Sequence, residues 1–299
     1  MPARLTAYIP DQPAVVRLLE DEVSHRIGRA SDCEVHVGHA SVSRFHAEIA
    51  GRDGLWRVHD TGSKNGLRVE GQLVRVAEFH DRTWFSVGDV QCAFEPLDAE
   101  AAQAHREAAL ARRSQSHALS AQLRPDLGMS TLLPQALDVV LQLSGLERGF
   151  VLFAEHGEPL RVRASRGLRL EEVASDRFAG SVAAIDRALA TARPVVCGDT
   201  GQAPWLGSRP SVRIGGIRAV ICVPLPMAGG ATGMIYVDSR RPGPPVTDLD
   251  LELVETIARN ACAAIEVARM QRRIDDVAEA IAREEAQAPL WQAVRGDAG

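Results

Sequence analysis

The chain has 299 residues, 45% hydrophobic and 24% charged, with 34 Lys+Arg against 39 Asp+Glu for a formal net charge of −5. That length exceeds one small domain and makes two the natural number, and the composition belongs to a globular protein able to bury cores. The slight negative balance excludes a nucleic-acid binder built on a broad basic face; the positive residues are 33 arginines and one lysine, Lys64.

The five cysteines, Cys33, Cys92, Cys197, Cys222 and Cys262, form no CxxC pair, so neither a local zinc pattern nor a dense disulfide framework is expected, and the compartment reads as a reducing cytoplasm. The N-terminus has no apolar stretch behind a basic start, which argues against a cleaved signal peptide. Ala219 to Val237 is a run of 19 residues without a charge, near membrane-span length. Pro224, Pro226 and the Gly229-Gly230 pair interrupt it, so two buried strands joined by a turn are expected there, with no membrane segment.

From Ala14 to Leu97 short alternating or apolar runs (AVVRLLE, CEVHV, FHAEIA, LWRVHD, TWFSV) are separated by turns such as Arg52-Asp53-Gly54, Lys64-Asn65-Gly66 and Gly88-Asp89. The pattern predicts an all-β sandwich or barrel of about ten short strands. At Asp98 the composition turns Ala-rich and stays free of Gly and Pro until Pro125, which predicts a linker helix. A second helix is expected with Ser130 as its N-cap and Leu133, Leu137, Val140 and Leu141 as its apolar stripe. Strands are expected at Phe150 to Ala154, Leu160 to Ala164, Val195 to Cys197, Val220 to Leu225 and Met234 to Val237, with a helix over Ser181 to Thr191. This second domain reads as α+β.

A last helix is expected from near Asp248 to about Glu285, with Val254, Ile257, Ala258, Ala261, Ile265, Ala268, Ile274, Val277 and Ile281 on one stripe. Its second half, from Arg269, reads either as a two-stranded coil or connector or as an ordinary solvated helix. A homodimer is expected through the helices flanking the second domain, burying Ile257, Ala261, Ile265 and Ile274 across a two-fold axis.

Three loop segments share one chemical purpose: Gly28-Arg29, Ser43-Arg44-Phe45-His46, and Asp60-Thr61-Gly62-Ser63-Lys64-Asn65-Gly66. Arg29, Arg44 and Lys64 supply charge-assisted donors, Ser43 a hydroxyl, and Asn65 an amide that both donates and accepts. A dianionic phosphate on a peptide wants that set: cations for its oxygens and an amide for the adjacent backbone.

The run GRASDCEVHVGHASVSRFHAEI followed by DTGSKNG resembles a forkhead-associated (FHA) domain, with GR, SRxH and NG at the family's separations. The resemblance implies an eleven-stranded β-sandwich whose loops bind phosphothreonine peptides. It places Arg29 and Ser43 on the phosphate, Arg44 and Lys64 beside it, and Asn65 on the peptide backbone. Gly28 and Gly66 would serve loop geometry. His46 would be structural, tying one binding loop; the rival reading is a catalytic base or metal ligand. The chain departs from the family with Leu67 after Asn-Gly and with Arg82 in the turn near Asp81. Glycines 229, 230 and 233 read as part of a hairpin turn and do not make a dinucleotide fingerprint.

The order of elements from the helix after Ser130 to TDLDLELVETIARNACAAIEVA resembles a GAF domain. That implies an antiparallel sheet with helices and either a pocket for an unidentified small molecule or a dimerisation platform; no other cofactor and no metal is expected. Cys197 and Cys222 read as core thiols in preference to chromophore anchors.

The fold class expected is therefore multidomain, an N-terminal all-β FHA sandwich followed by an α+β GAF domain with flanking helices: FHA over 1–97, helical linker over 98–127, GAF over 128–270, C-terminal helix and tail over 271–299. No nucleotide loop, nucleophile elbow, HExxH or kinase signature is present. A non-enzymatic bacterial signalling adaptor is expected, with a Ser/Thr kinase or its substrate as the phosphothreonine partner. The second reading is the sensory half of a larger enzyme or transcription regulator, whose output domain should follow Glu285, after which 14 residues remain. A third keeps the FHA fold as a phosphate-independent interaction platform, which loss of Arg29 or Ser43 would have favoured.

Overall fold

A computed structural model describes residues 1–124, 126, 128–168, 180–225, 227 and 232–287. Eleven strands come first: β1 (Ala3–Tyr8), β2 (Val15–Leu19), β3 (Ser24–Gly28), β4 (Val35–His36), β5 (Ala47–Arg52), β6 (Leu55–Asp60), β7 (Leu67–Val69), β8 (Gln72–Val74), β9 (Val76–Phe79), β10 (Thr83–Val87) and β11 (Val90–Pro96). They form a six-stranded sheet, β2-β1-β11-β10-β7-β8, and a five-stranded sheet, β4-β3-β5-β6-β9. Only β3 and β4 pair in parallel.

Alternation along the strands sends Leu5, Ile27, Ile49, Trp56, Phe85 and Phe94 into one shared core between the two sheets. Aromatic rings carry its centre. Trp56 packs on Phe94 at 5.6 Å, and Phe79 lies 5.3 Å from both Phe85 and Phe94. The strands face inward at one residue in two, so the binding residues fall on the loops at one end.

The linker helix α1 (Ala99–Ser120) begins where Asp98 accepts the Ala101 N–H at 2.7 Å. Helix α2 (Met129–Ser144) follows, then β12 (Arg148–Ala154), β13 (Arg161–Arg166), α3 (Val182–Thr191), β14 (Val195–Cys197), the short helices α4 (Pro204–Gly207) and α5 (Pro210–Gly215), β15 (Ala219–Leu225), β16 (Thr232–Ser239) and α6 (Asp248–Gln287). The strands form an antiparallel sheet in the order β13-β12-β16-β15-β14.

Both faces of this sheet are covered. Val151, Phe153, Ile221, Val223, Ile235 and Val237 meet α2 and the first half of α6. Phe150, Val220, Cys222, Met234 and Tyr236 meet α3 and the short helices. Strands buried on both sides need continuous apolar sequence, which is why the uncharged run from Ala219 is two strands of this sheet. Among the described residues no helix is long and apolar enough to cross a membrane.

Three expectations need correction. Ser130 lies inside α2, because Gly128 with φ 73° holds the N-cap position and its carbonyl accepts from Leu132 at 3.1 Å. Gly233 is a strand residue opposite Phe153 and Leu225, where a Cβ would crowd the Leu225 side chain; residues 229 and 230 lie outside the described residues. Ile257, Ala261 and Ile265 are fully buried inside their own chain against α2 and the sheet, so they are not available to a partner.

The two domains meet at the start of α6. Ala14 bridges Thr247 in parallel, with the Ala14 N–H on the Val246 carbonyl and the Asp248 N–H on the Ala14 carbonyl, both at 2.9 Å. Arg17 of β2 pairs with Asp248. From α1, Arg112 reaches Asp250 and the Leu143 carbonyl at the end of α2, Arg113 pairs with Glu252, and Arg106 with Glu20. Thr247 and Asp250 cap α6 reciprocally, the Thr247 N–H on the carboxylate and the Asp250 N–H on the hydroxyl. Two acidic residues in the first turn, Asp248 and Asp250, suit the positive end of a helix, and one meets an arginine from β2 and the other an arginine from α1.

Candidate functional site

Three loops at one end of the sandwich hold the sequence-predicted residues together. Gly28 closes β3 where the chain runs against the Arg44 carbonyl; a Cβ there would run into that oxygen. The Arg29 N–H donates to the Ser43 carbonyl at 2.9 Å and the Ala30 N–H to the Arg44 carbonyl at 3.1 Å, which zips the first loop to the second. Arg29 is exposed, and its Nε is anchored on the Val42 carbonyl at 3.2 Å, which orients the guanidinium without using its Nη groups.

His46 is fully buried and joins the second loop to the third. Its Nδ1 accepts the Ser43 N–H at 3.1 Å, so its Nε2 is the nitrogen that donates to the Gly66 carbonyl at 3.0 Å. Both ring nitrogens are thus spent on backbone, the structural role. The Ser43 hydroxyl accepts the Lys64 N–H at 3.0 Å. Gly66 has φ +77°, and a Cβ on it would strike the Leu73 side chain.

The third loop is shaped by Asp60. Its carboxylate accepts the N–H of Gly62 and of Ser63 at 2.7 Å and the Ser63 hydroxyl at 2.6 Å. Partial burial works against its charge, but these hydrogen bonds outweigh it and hold the carboxyl below the usual aspartate range. Ser63 passes the order on by accepting the Gly66 N–H at 2.9 Å.

Asn65 donates from Nδ2 to the Ser41 carbonyl at 2.7 Å, which leaves its Oδ1 as an acceptor for a peptide N–H. Ser41 is itself held by His39 at 2.8 Å and accepts the Asp89 N–H at 2.9 Å, while Arg68 donates to the Asn65 carbonyl at 3.0 Å. Ser41, Arg68 and His39 were missed in the sequence because nothing local marks them. Asp60 carries an Asx-turn signature, Asp-Thr-Gly-Ser, that predicts the turn but not its position under the binding loop.

Arg29, Arg44 and Lys64 are exposed, and among the described residues no carboxylate lies within ion-pair distance of any of them. Elsewhere on this sandwich Arg4, Arg17, Arg26 and Arg57 are in ion pairs, while Arg52, Arg68, Arg75 and Arg82 have none among the described residues. Uncompensated cations converging on a hydroxyl and an amide form an anion receptor. No group of three or more His, Cys, Asp or Glu able to hold a metal occurs among the described residues.

In the second domain the sheet face toward α3 is filled by Phe150 stacked on Tyr236 at 4.7 Å. Beneath them Arg148 and Asp238 form a buried ion pair, the Tyr236 hydroxyl donates to Asp238 at 2.7 Å, and the Ser181 N–H donates to that hydroxyl at 2.9 Å. Burial raises the Asp238 carboxyl despite Arg148, and raises Cys197 to about 11 and Cys222 well above the ordinary thiol, as suits core thiols. A cavity of about 360 Å³ opens between the end of α3, the Val223 to Leu225 end of the sheet, and Glu255 and Arg259 of α6. Arg209, Arg213 and Arg218 are exposed.

The FHA-domain family model matches residues 25–90 and the GAF-domain model, GAF_2, residues 126–266. An ABC transporter ATP-binding/permease protein of Mycobacterium tuberculosis is 32% identical over 93 residues, which are 31% of this chain but only 10% of that protein. Among solved structures, FHA-1 of the same mycobacterial protein is 26% identical over 32% of this chain and 97% of its own, with a TM-score of 0.28. The GAF domain of a putative sensor histidine kinase from Pseudomonas syringae pv. tomato is 17% identical over 60% of this chain and 99% of its own, with a TM-score of 0.40.

Proposed function

From a chain that carries an FHA domain followed by a GAF domain, we propose a non-catalytic cytoplasmic adaptor that captures a phosphothreonine-containing protein on its FHA loops. The observation that carries this reading is the group of three exposed cations around the Ser43 hydroxyl with no carboxylate partner among the described residues. Arg29 and Ser43 take the phosphate, Arg44 and Lys64 flank it, and Asn65 holds the peptide backbone. The partner is a Ser/Thr kinase or one of its substrates.

Anisotropy with matched peptides tests it: a phosphothreonine peptide should bind and its unphosphorylated twin should not. Equal affinity for the two forms would leave only the phosphate-independent platform.

The GAF domain serves for small-molecule sensing or for dimerisation, and a specific observation favours the second. Val267, Met270, Ile274, Val277 and Ile281 are 52 to 61% exposed on the distal half of α6, at alternating spacings of three and four. That is a heptad seam without a partner among the described residues. A second copy of the chain is the occupant proposed for it.

A further inference from the structure

The outer face of the GAF domain, formed by α3, α4 and α5, gathers arginines around a tryptophan. The Arg187 guanidinium lies over the Trp205 ring at 4.4 Å, and Arg209 donates from Nε to the Trp205 carbonyl at 3.1 Å. Both line a surface cavity of about 430 Å³ together with Val182 and Asp186. Arg213 follows one helical turn after Arg209, and next to it Ile214 is 88% exposed, more than any other large hydrophobic of the described residues. Val182 is 47% exposed on the facing helix.

None of Arg187, Arg209 and Arg213 has a carboxylate within ion-pair distance among the described residues. Among the described residues Asp186 is the one acid of the cavity wall, so with Arg187 and Arg209 these residues carry a net positive charge in a chain whose total is −5. Exposed apolar side chains on the two helices that flank a tryptophan cavity, with arginines that have no carboxylate partner among the described residues, have the composition of an interface and not of a solvated surface.

We propose that this face is a second docking site, for an acidic protein segment with interspersed apolar residues. Carboxylates would meet Arg187, Arg209 and Arg213, and apolar side chains would cover Ile214 and Val182. The guanidiniums are held in place, one by the indole and one by the Trp205 carbonyl, and fixed forks recognise carboxylates at set positions. An anionic membrane asks instead for mobile cations and a protruding aromatic, and Trp205 lies beneath Arg187. The site is separate from the FHA loops and does not depend on phosphate.

The test uses the full chain and a fluorescein-labelled peptide in which glutamates alternate with leucines, read by anisotropy. Binding is expected, weakened roughly tenfold or more, about 1.4 kcal/mol, by Arg187→Glu with Arg209→Glu. The milder Arg187→Ala with Arg209→Ala, and Ile214→Ser at a position 88% exposed, should weaken it several-fold with an unchanged circular dichroism spectrum. Affinity for a phosphothreonine peptide on the FHA loops should stay the same in all three. No binding, equal binding of the peptide with glutamine for glutamate, or indifference to the substitutions overturns the proposal. So does loss of vesicle co-sedimentation in the double variant, with phosphatidylserine vesicles, where the peptide does not bind; that outcome assigns the face to a membrane. A fall to monomer mass in the double variant overturns it too, and assigns the face to a second copy.

Discussion

The Ser43 hydroxyl accepts the backbone N–H of Lys64 at 3.0 Å, so one oxygen joins the SRxH segment to the SKNG segment and keeps its own hydrogen to donate. Ser43→Ala removes a loop tie together with the hydroxyl proposed to meet the phosphate. Arg29→Ala removes a charged donor, and hydrogen bonds to charged groups contribute roughly 1.5 to 3 kcal/mol. Each should weaken phosphothreonine-peptide binding roughly tenfold or more, while Arg52→Ala, at the last residue of β5, should leave it unchanged in the same titration.

Removing His46 from its fully buried position strands the Ser43 N–H, while the Gly66 carbonyl loses one of its two donors and keeps the Gly88 N–H at 3.1 Å. A buried group without its partner costs about 1 to 3 kcal/mol, and His46→Ala should lower stability by about that much. Chemical denaturation measures it. A change of less than about 0.5 kcal/mol, the size of an ordinary surface substitution, would remove the tie between the two loops from the account.

Gly28→Ala places a methyl group on the Arg44 carbonyl, which is backbone and has little room to retreat. The first and second loops should separate, with a lower melting temperature and a loss of phosphopeptide affinity at least as large as that of Arg29→Ala. Unchanged thermal unfolding of the variant speaks against the close approach.

The third loop should be acid-sensitive through Asp60. Its carboxyl is held below the ordinary value because the folded loop hydrogen-bonds the charged form. The sign follows: the folded state binds this proton less readily than the unfolded chain, so the contribution is full above the ordinary aspartate range and is lost as pH falls through the depressed value. Hydrogen exchange of Gly62, Ser63 and Gly66 should therefore speed up only in strong acid, and Asp60→Asn should flatten that pH dependence.

The exposed seam of α6 predicts a dimer. Light scattering should return twice the 32.2 kDa chain mass, and Ile274→Asp, at a position 61% exposed, should return the monomer without disturbing the fold. Ile265→Asp, fully buried within the chain, should instead unfold the GAF domain. A monomer mass for the unsubstituted chain at micromolar concentration is the result that would dispose of the seam.

Much of the architecture was written in local signals. Alternation with a period of two marked the strands from Val15 to Val90, Asp98 and Ser181 capped the helices that follow them, and charge-free sequence marked the strands buried on both faces. These signals act within a few residues, which is why they survive without the fold. The GR, SRxH and NG segments were legible for the same reason, since each is short and lies on a loop.

Only the closed chain decided the rest. Ile265 and Ile274 carry the same side chain on the same helix at helical spacing, yet one is core and the other exposed, because the sheet and α2 end between them. Gly128 took the cap from Ser130 through a left-handed backbone angle that composition does not reveal. Ser41 became the anchor of Asn65, 24 residues away in sequence, and Arg112 the staple of α6 from 138 residues away. Such pairs depend on where strands and helices come to rest, and no stretch of sequence shorter than the whole domain contains that information.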